Sequence, residues 1–370
     1  MNLIQRIDAV RRKLRERQLD ALIAIHDGAH YSGANDALFI LTGFRTLGPC
    51  AFWLDAQGED WMLVTPGWDA DRAAERVPGV RVFGAKGLLP GLADRLPTRR
   101  ARVAVAGRSC LNEQAARQQG FLLGEGLVDG DALLLDQARA KTDAEIENGR
   151  IATQIAERGY ERMLELTRPG VKEDELAVEL RWFMKSLGAE DNFFMLNAGP
   201  HNRAVQPCSS RRLEPGDFVL TELSPLYRGQ MTQICRTIHL GSATREHQDA
   251  YALLKSGFEA GLEAAKPGRP MSEVCDAVDA VLEAAGYAEY SRPPWLRLRR
   301  RGHGLGLGTT LPGDVAPDND MILEPGMMFV LHPNQYLPQT GYMMCGEPVL
   351  ITEQGARALS SERGVLDEVN

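Results

Sequence analysis

Apolar residues recur at helical spacing among charges over residues 3–18, and the short apolar run ALIAI follows directly. This predicts an amphipathic helix leading into a strand. Three more runs, CAFWLD, DWMLVT and RVAVAG, are separated by polar stretches, and the stretch from Trp68 to Arg76 has helical character. Such alternation predicts an α/β domain over residues 1–140. Beyond VDGDALLLDQARAKT the pattern changes. Thr142 and Glu145 have the spacing of a capping box and open a long helix that RPG stops near Leu166. The boundary is placed just before this helix, so the second domain is 141–370. A helix near 172–187 leads to a loop, NAGPHNRAVQPCSSRRLEPGD. Then FVLTELSPLY and QMTQICRTIHLG, joined through Arg228 and Gly229, predict an antiparallel hairpin. Helices follow near 244–265 and 271–285, and GHGLGLG, MMFVLHPNQYLP and CGEPVLITEQG read as strands and turns.

A chain of 370 residues exceeds what one hydrophobic core usually serves, which agrees with two domains. The net charge of -8 offers no general attraction to a phosphate backbone, so nucleic acid is not an expected partner. The arginine-rich stretch Arg292, Arg297, Arg299, Arg300, Arg301 around PPWLRL reads as a solvated face paired with acids. Six scattered cysteines with no CxxC spacing suit free thiols in a reducing compartment. The N-terminal segment lacks the apolar core of a signal peptide, and no run approaches the roughly 20 apolar residues that span a bilayer. The expectation is a cytoplasmic protein with no membrane partner.

Four motifs in order, LEPGDFVLTELSPLYRGQMTQICRTIHLG, RGHGLGLG, LEPGMMFVLHPNQYLP and GEPVLITEQG, resemble the creatinase and Xaa-Pro peptidase family. LFILTGFRTLGP is similar to the segment that the family's N-terminal domain sends towards the active site. The resemblance implies a creatinase-type α/β domain followed by a pita-bread domain, with a mainly antiparallel curved sheet covered by helices. It also implies a homodimer, because in creatinase-type enzymes that segment completes the partner's site.

Peptidases of the family hold two divalent metals with two Asp, one His and two Glu, since close cations need bridging carboxylates. At the matching positions this chain has Glu222, Gln233, His303, His332 and Gly346, with Glu347 one residue further on. Both bridging carboxylates are absent, so no dinuclear site is expected. Creatinase works without metal through a His and Glu constellation, yet its catalytic His position is Gln206 here, and the family's second His, seven residues after His303, is Thr310.

His303 sits among glycines that keep an imidazole accessible. His332 lies in an apolar strand before Pro333, at a position that the resemblance points into the site. Glu222 interrupts the apolar run FVLTELSPL, so its carboxyl must be paired, protonated or ligating. Burial would raise its pKa into the range of a general base, whereas an adjacent imidazolium would keep it ionised. Glu222, His303 and His332 are the candidate catalytic residues. Gln206, Gln233, Cys235, His201, Tyr336 and Glu347 are candidate substrate-binding residues, and the resemblance adds Phe44 and Arg45 over a small anionic substrate. These residues suggest hydrolysis of a C–N bond in a small amide, amidine or amino-acid-like molecule, possessing a carboxylate if Arg45 binds it, with no cofactor. Two alternatives stay open: a single divalent metal on Glu222, His303 and His332, as in a mononuclear hydrolase or an Xaa-Pro-type peptidase, and a pita-bread module that only binds.

Overall fold

The computed structural model describes residues 2–30, 33–96, 101–123, 127–295, 300–361 and 365–370. Internal packing divides the chain into two units, Met1–Thr142 and Asp143–Asn370. Among the described residues no helix is long and apolar enough to cross a membrane.

In the first unit, α1 (Leu3–Glu16) starts at Asn2, whose side chain accepts the Gln5 N–H while Gln5 accepts the Asn2 N–H. This reciprocal cap satisfies two N–H groups that a helix start leaves open. The strands are β1 (Ala21–His26), β2 (Cys50–Asp55), β3 (Trp61–Val64), β4 (Arg81–Gly84), β5 (Val103–Ala106) and β6 (Val128–Asp129). They form one sheet in the order β4-β3-β2-β1-β5-β6, with β1 antiparallel to β2 and parallel to β5. Helices α2 (Ala37–Thr42), α3 (Ala70–Arg76), α4 (Leu88–Ala93), α5 (Glu113–Leu123) and α6 (Asp131–Ala138) connect them. Of these, α2 and α4 are too short to show a helical period in the sequence.

The second unit opens with α7 (Asp143–Leu166) and α8 (Glu173–Ser186). Strands β7 (Asp191–Gly199), β8 (Phe218–Tyr227), β9 (Gln230–Met231) and β10 (Ile234–Leu240) follow, then α9 (Arg245–Ala264) and α10 (Met271–Ala284). The remaining strands are β11 (Gly302–Gly304), β12 (Met328–Leu331), β13 (Gln335–Leu337), β14 (Gly341–Met343), β15 (Glu347–Thr352), β16 (Gly355–Ala358) and β17 (Asp367–Val369). One sheet runs β17-β10-β8-β7 with β9 on β8, another runs β11-β12-β15-β16, and β13 pairs with β14. Cys235 and Gly346 join the two larger sheets by exchanging both backbone hydrogen bonds, at 3.0 and 3.1 Å.

The hairpin turns through Arg228 and Gly229, both at positive φ (44° and 79°), the geometry that matches the twist of tightly linked strands. Its return strand is interrupted at Thr232–Gln233 and does not run unbroken from Gln230. The stretch before the hairpin corrects the sequence reading. Residues 197–199, assigned to a loop, end β7, which pairs along β8 from Asp191 to Gly199. Polar Asp191, Asn192 and Asn197 and the exposed ring of Phe193 hide the strand's alternation.

Helices cover the sheets as the resemblance implies. Ile155, Tyr160, Leu180 and Met184 of α7 and α8 pack on Val219, Leu223 and Ile238. Leu254, Phe258, Val274 and Val278 of α9 and α10 pack on Phe329, Leu331 and Val349. The fold is the expected one: mixed α/β, ending in a pita-bread unit with curved, mainly antiparallel sheets.

Candidate active site

Glu222 lies in the middle of β8, the one residue from Phe218 to Leu226 that is not fully buried. Opposite it stand Met195 of β7 and Cys235 of β10. Directly opposed residues of an antiparallel pair project to the same face, so the Glu222 carboxyl and the Cys235 thiol are neighbours. No hydrogen bond to the carboxyl is found among the described residues. Burial raises its pKa to about 7, opposed only by the Arg300 guanidinium. Burial, followed by Glu222, in turn raises the Cys235 thiol and the Tyr342 phenol well above their usual ranges. Gln233 is buried, with its amide donating to Cys235 Sγ at 3.5 Å.

His303 on β11 and His332 just after β12 meet edge to face, with ring centroids 5.7 Å apart. The His332 backbone is fixed by Arg301. The His332 N–H donates to the Arg301 carbonyl at 2.8 Å. The Arg301 side chain, fully buried, donates to Asp279 Oδ1 (2.7 Å), Ser291 Oγ (2.9 Å), the Asn334 carbonyl (3.0 Å) and Gln335 Oε1 (3.1 Å). This corrects the reading of Arg301 as solvated. A buried guanidinium is tolerable only when its donors are filled, and here they are. Arg300 is half-buried beside Asp314, while Arg297 and Arg299 lie outside the described residues.

Both imidazoles are held neutral. Burial lowers the His303 pKa, and burial followed by His303 pushes His332 down to about 3. Nδ1 of His303 lies 3.0 Å from the Gly304 carbonyl, so Nδ1 carries the proton and Nε2 keeps its lone pair. Nδ1 of His332 is buried without a hydrogen-bond partner. An imidazolium that keeps Glu222 ionised is therefore not what the site contains: burial keeps both rings uncharged, and the charge that acts on Glu222 is Arg300.

Gly346 borders His332 closely. A Cβ on Gly346 would lie 2.6 Å from His332 Cβ and 3.1 Å from Cys235 Cβ, so the close approach of the chain at 332 leaves no room for a side chain at 346. Gly304 is equally constrained, since a Cβ there would stand 2.2 Å from the Leu311 carbonyl oxygen.

The other candidates divide. Glu347 is not a substrate group: Arg236 grips it at 2.8 Å, Ser360 donates to it, and both partners of the ion pair are buried. Phe44 is buried in the first unit beneath the Arg72 guanidinium, 4.3 Å from its ring, and not presented to a ligand. Arg45, partly exposed, lies over Phe39. Gln206 is exposed and held by its backbone, which donates to Asn197 Oδ1 at 2.7 Å. His201 Nε2 donates to the Pro338 carbonyl at 2.9 Å, and its ring abuts Tyr336. Tyr342 is the site residue that the sequence reading missed. Its place two residues beyond Thr340, on the alternating run GYM that closes the hairpin opposite Tyr336, was the available signal.

In the first unit His26, His30 and Asp36 bring ligand-type atoms within 4.8 Å of one another. The hydrogens argue against a metal. His26 Nδ1 accepts the Gly28 N–H at 2.9 Å, so Nε2 must carry the proton it points at Asp36. Metal at Nε2 would need that proton on Nδ1, where the Gly28 N–H already sits.

Residues 147–353 match the model of metallopeptidase family M24. The chain is 30% identical over 240 residues to an Xaa-Pro dipeptidase of Pyrococcus furiosus, covering 64% of this chain and 67% of that protein. It is 27% identical over 258 residues to an uncharacterized peptidase of Bacillus subtilis, covering 67% and 71%. Among solved structures, the Xaa-Pro dipeptidase from Bacillus anthracis superposes with a TM-score of 0.86 at 21% identity over 100% of both chains. The prolidase from Pyrococcus horikoshii gives 0.84 at 21% identity, over 97% and 99%. At that identity the structures speak for the fold alone. The motif string, the pita-bread unit and the match over residues 147–353 together place the chain in metallopeptidase family M24, the family of creatinase and the Xaa-Pro peptidases.

Proposed function

We propose that this M24 hydrolase of the Xaa-Pro peptidase type cleaves a C–N bond in a small amide, amidine or amino-acid-like molecule by acid/base chemistry of Glu222 and His303, without a pair of metal ions. The observation that carries this reading is the opposite state of two buried groups that both feel the Arg300 guanidinium. Glu222 is a carboxyl that burial lifts to about 7, and His303 is an imidazole that burial keeps neutral.

The directions assign the roles. Near neutral pH an appreciable share of Glu222 holds its proton, and His303 offers a free Nε2. His303 takes a proton from water as the water oxygen bonds to the scissile carbon. Glu222 then gives its proton to the departing nitrogen, so that water is added across the bond and the site recovers its protonation through solvent. The reverse assignment needs an imidazolium beside a carboxylate, which desolvation disfavours on both sides. His332, neutral and packed against His303, orients that ring. Cys235, with its raised thiol, is no nucleophile.

The positions that the resemblance matches to metal ligands do not fit two ions. Gln233 is neutral, Gly346 has no side chain, and the close approach of His332 Cβ leaves no room for one there. Among the described residues the ligand atoms of Glu222, His303 and His332 do not gather within 4.8 Å as a set, so we derive no step through a metal.

A second reading is favoured by one observation. The unpartnered Nδ1 of His332 is a buried ring nitrogen of the kind a single cation fills, and the Pyrococcus furiosus relative is named an Xaa-Pro dipeptidase. The test is elemental analysis after expression with manganese, cobalt or zinc, joined to hydrolysis of Ala-Pro and of simple amides before and after chelation. Activity without bound metal supports the first reading. Two metal equivalents with chelator-sensitive activity overturn it, and one equivalent lost in His332→Ala selects the second.

A further inference from the structure

A guanidinium with nothing to bind lies on the stretch of chain that leads into β8, the strand of Glu222. Arg203, exposed on the stretch between β7 and β8, is laid over two aromatic faces: its carbon Cζ is 4.8 Å from the Trp295 ring and 5.2 Å from the Tyr336 ring. Those rings are themselves stacked, with centroids 4.4 Å apart and planes within 19°. Tyr290 and His201 close the sides, at 5.4 Å from Trp295 and 5.5 Å from Tyr336. Among the described residues no carboxylate pairs with Arg203 and none of its donors is filled.

The shelf is tied to the catalytic groups through the backbone. Tyr336 is the cross-strand partner of Tyr342, so both side chains leave the same face of the hairpin, about 5 Å apart at Cβ. Tyr342 feels the Glu222 charge, and its N–H donates at 2.7 Å to the carbonyl of Asn202, the residue before Arg203. A guanidinium stacked on rings is held flat with its N–H fork pointing outwards, and little side-chain freedom remains to be lost on binding. Such a fork matches both oxygens of a carboxylate.

We propose that Arg203, on its Trp295–Tyr336 shelf, is the group that recognises a carboxylate of the substrate and so sets specificity for free acids over neutral amides. The inference rests on the reading that the Glu222 and His303 site acts on a small molecule. A merely structural role, pinning the stretch before β8 to the Trp295 segment, would make no distinction between acid and amide.

The experiment compares Ala-Pro with its C-terminal amide on the full chain, as wild type, Arg203→Lys and Arg203→Gln. Wild type should favour the acid, mainly through KM. Arg203→Gln should raise KM for the acid by about 10- to 100-fold, the range of a hydrogen bond to a charged group, and collapse the ratio between acid and amide towards one. Arg203→Lys should fall between. Binding to the Glu222→Gln variant, measured by calorimetry with the same two peptides, keeps the two readings apart. Absence of turnover with acid-selective binding that Arg203→Gln abolishes would defeat the catalytic reading alone. Equal binding of acid and amide, equal losses on both in Arg203→Gln, or no binding of either peptide overturns the assignment of Arg203.

Discussion

Replacing Glu222 by Gln should stabilise the protein at alkaline pH while it removes the proton donor of the reaction. The carboxyl's folded pKa is about 7 against 4.5 for a free Glu. Below 4.5 both folded and unfolded chains carry the proton, and burial has no electrostatic consequence. Between 4.5 and about 7 the unfolded chain releases its proton while the folded one keeps it. Stability then declines as pH rises, and above about 7 the full deficit remains. At 1.36 kcal/mol per pKa unit the deficit is about 3 kcal/mol, and the partial solvent contact of Glu222 trims it to about 2 kcal/mol. Gln has the same shape and never ionises. For a unit of 150–250 residues that difference is a gain of roughly 4–8 °C in Tm. Calorimetric scans of wild type and Glu222→Gln at pH 4 and pH 8.5 are the assay: the curves should coincide at the lower pH and separate at the higher. Turnover should fall by about 10²- to 10⁴-fold, as for other lost acids and bases. A variant equally or less stable than wild type at pH 8.5 would refute the reasoning, because it would mean that the native carboxylate has a partner.

Gly346→Ala should destabilise by about 1–3 kcal/mol, since its Cβ would come within 2.6 Å of His332 Cβ, and chemical denaturation should show the loss persisting in combination with His332→Ala, because alanine keeps that Cβ. Arg236→Met leaves the Glu347 carboxylate buried and unpaired, which should cost about 3–5 kcal/mol, whereas the double variant with Glu347→Leu should recover much of it; no recovery would show that the pair is not the cause. The activity profile should be a bell, bounded below by the lowered pKa of His303 and above by the Glu222 value of about 7, and a rate that keeps rising beyond pH 8 would reverse the two roles. We also propose a homodimer, from the likeness of LTGFR to a segment that completes a partner's site, and light scattering that returns 40.7 kDa for the active species would dismiss it.

The elements that the sequence reveals are those whose signal is local. Thr142 and Glu145 announce α7, and Arg228–Gly229 announces the hairpin, because capping and turn chemistry act over a few residues. β7 escapes because its burial is decided by what packs on it, not by its own alternation. The same division holds in the site. Glu222 is legible as a charge within an apolar run, and His303 as an imidazole among glycines. Arg301 is not, since in sequence it is one of several neighbouring arginines, and only the tertiary positions of Asp279, Ser291 and Gln335 make it a buried strut. Glu347 misleads for the converse reason: its neighbour in sequence, Gly346, is at the site, while its own side chain turns to Arg236, on the opposite side of the strand.

The substitutions around Glu222 are coherent as a set, which bears on why the carboxyl can sit near pH 7 at all. Two dications carry four positive charges, and carboxylates must surround them to offset that charge in a buried site. On the positions that the resemblance marks, this chain offers one carboxyl, one amide, one glycine and two imidazoles that burial keeps uncharged. A pair of ions held by that set would leave most of its charge uncompensated. The neutral surroundings have the opposite consequence for Glu222. Arg300, half-buried and shared with Asp314, is among the described residues the one opposing influence, and it offsets desolvation only in part, so the carboxyl keeps its proton up to about pH 7. Restoring charge at one position should therefore move the others. Gln233→Glu, next to Cys235 and on its face, would add a second buried carboxyl, raise the Glu222 pKa further by like-charge repulsion, and shift the alkaline limb of the activity profile upwards by about one pH unit or more. An alkaline limb that stays in place in Gln233→Glu would mean that Glu222 is not the group whose proton the reaction uses.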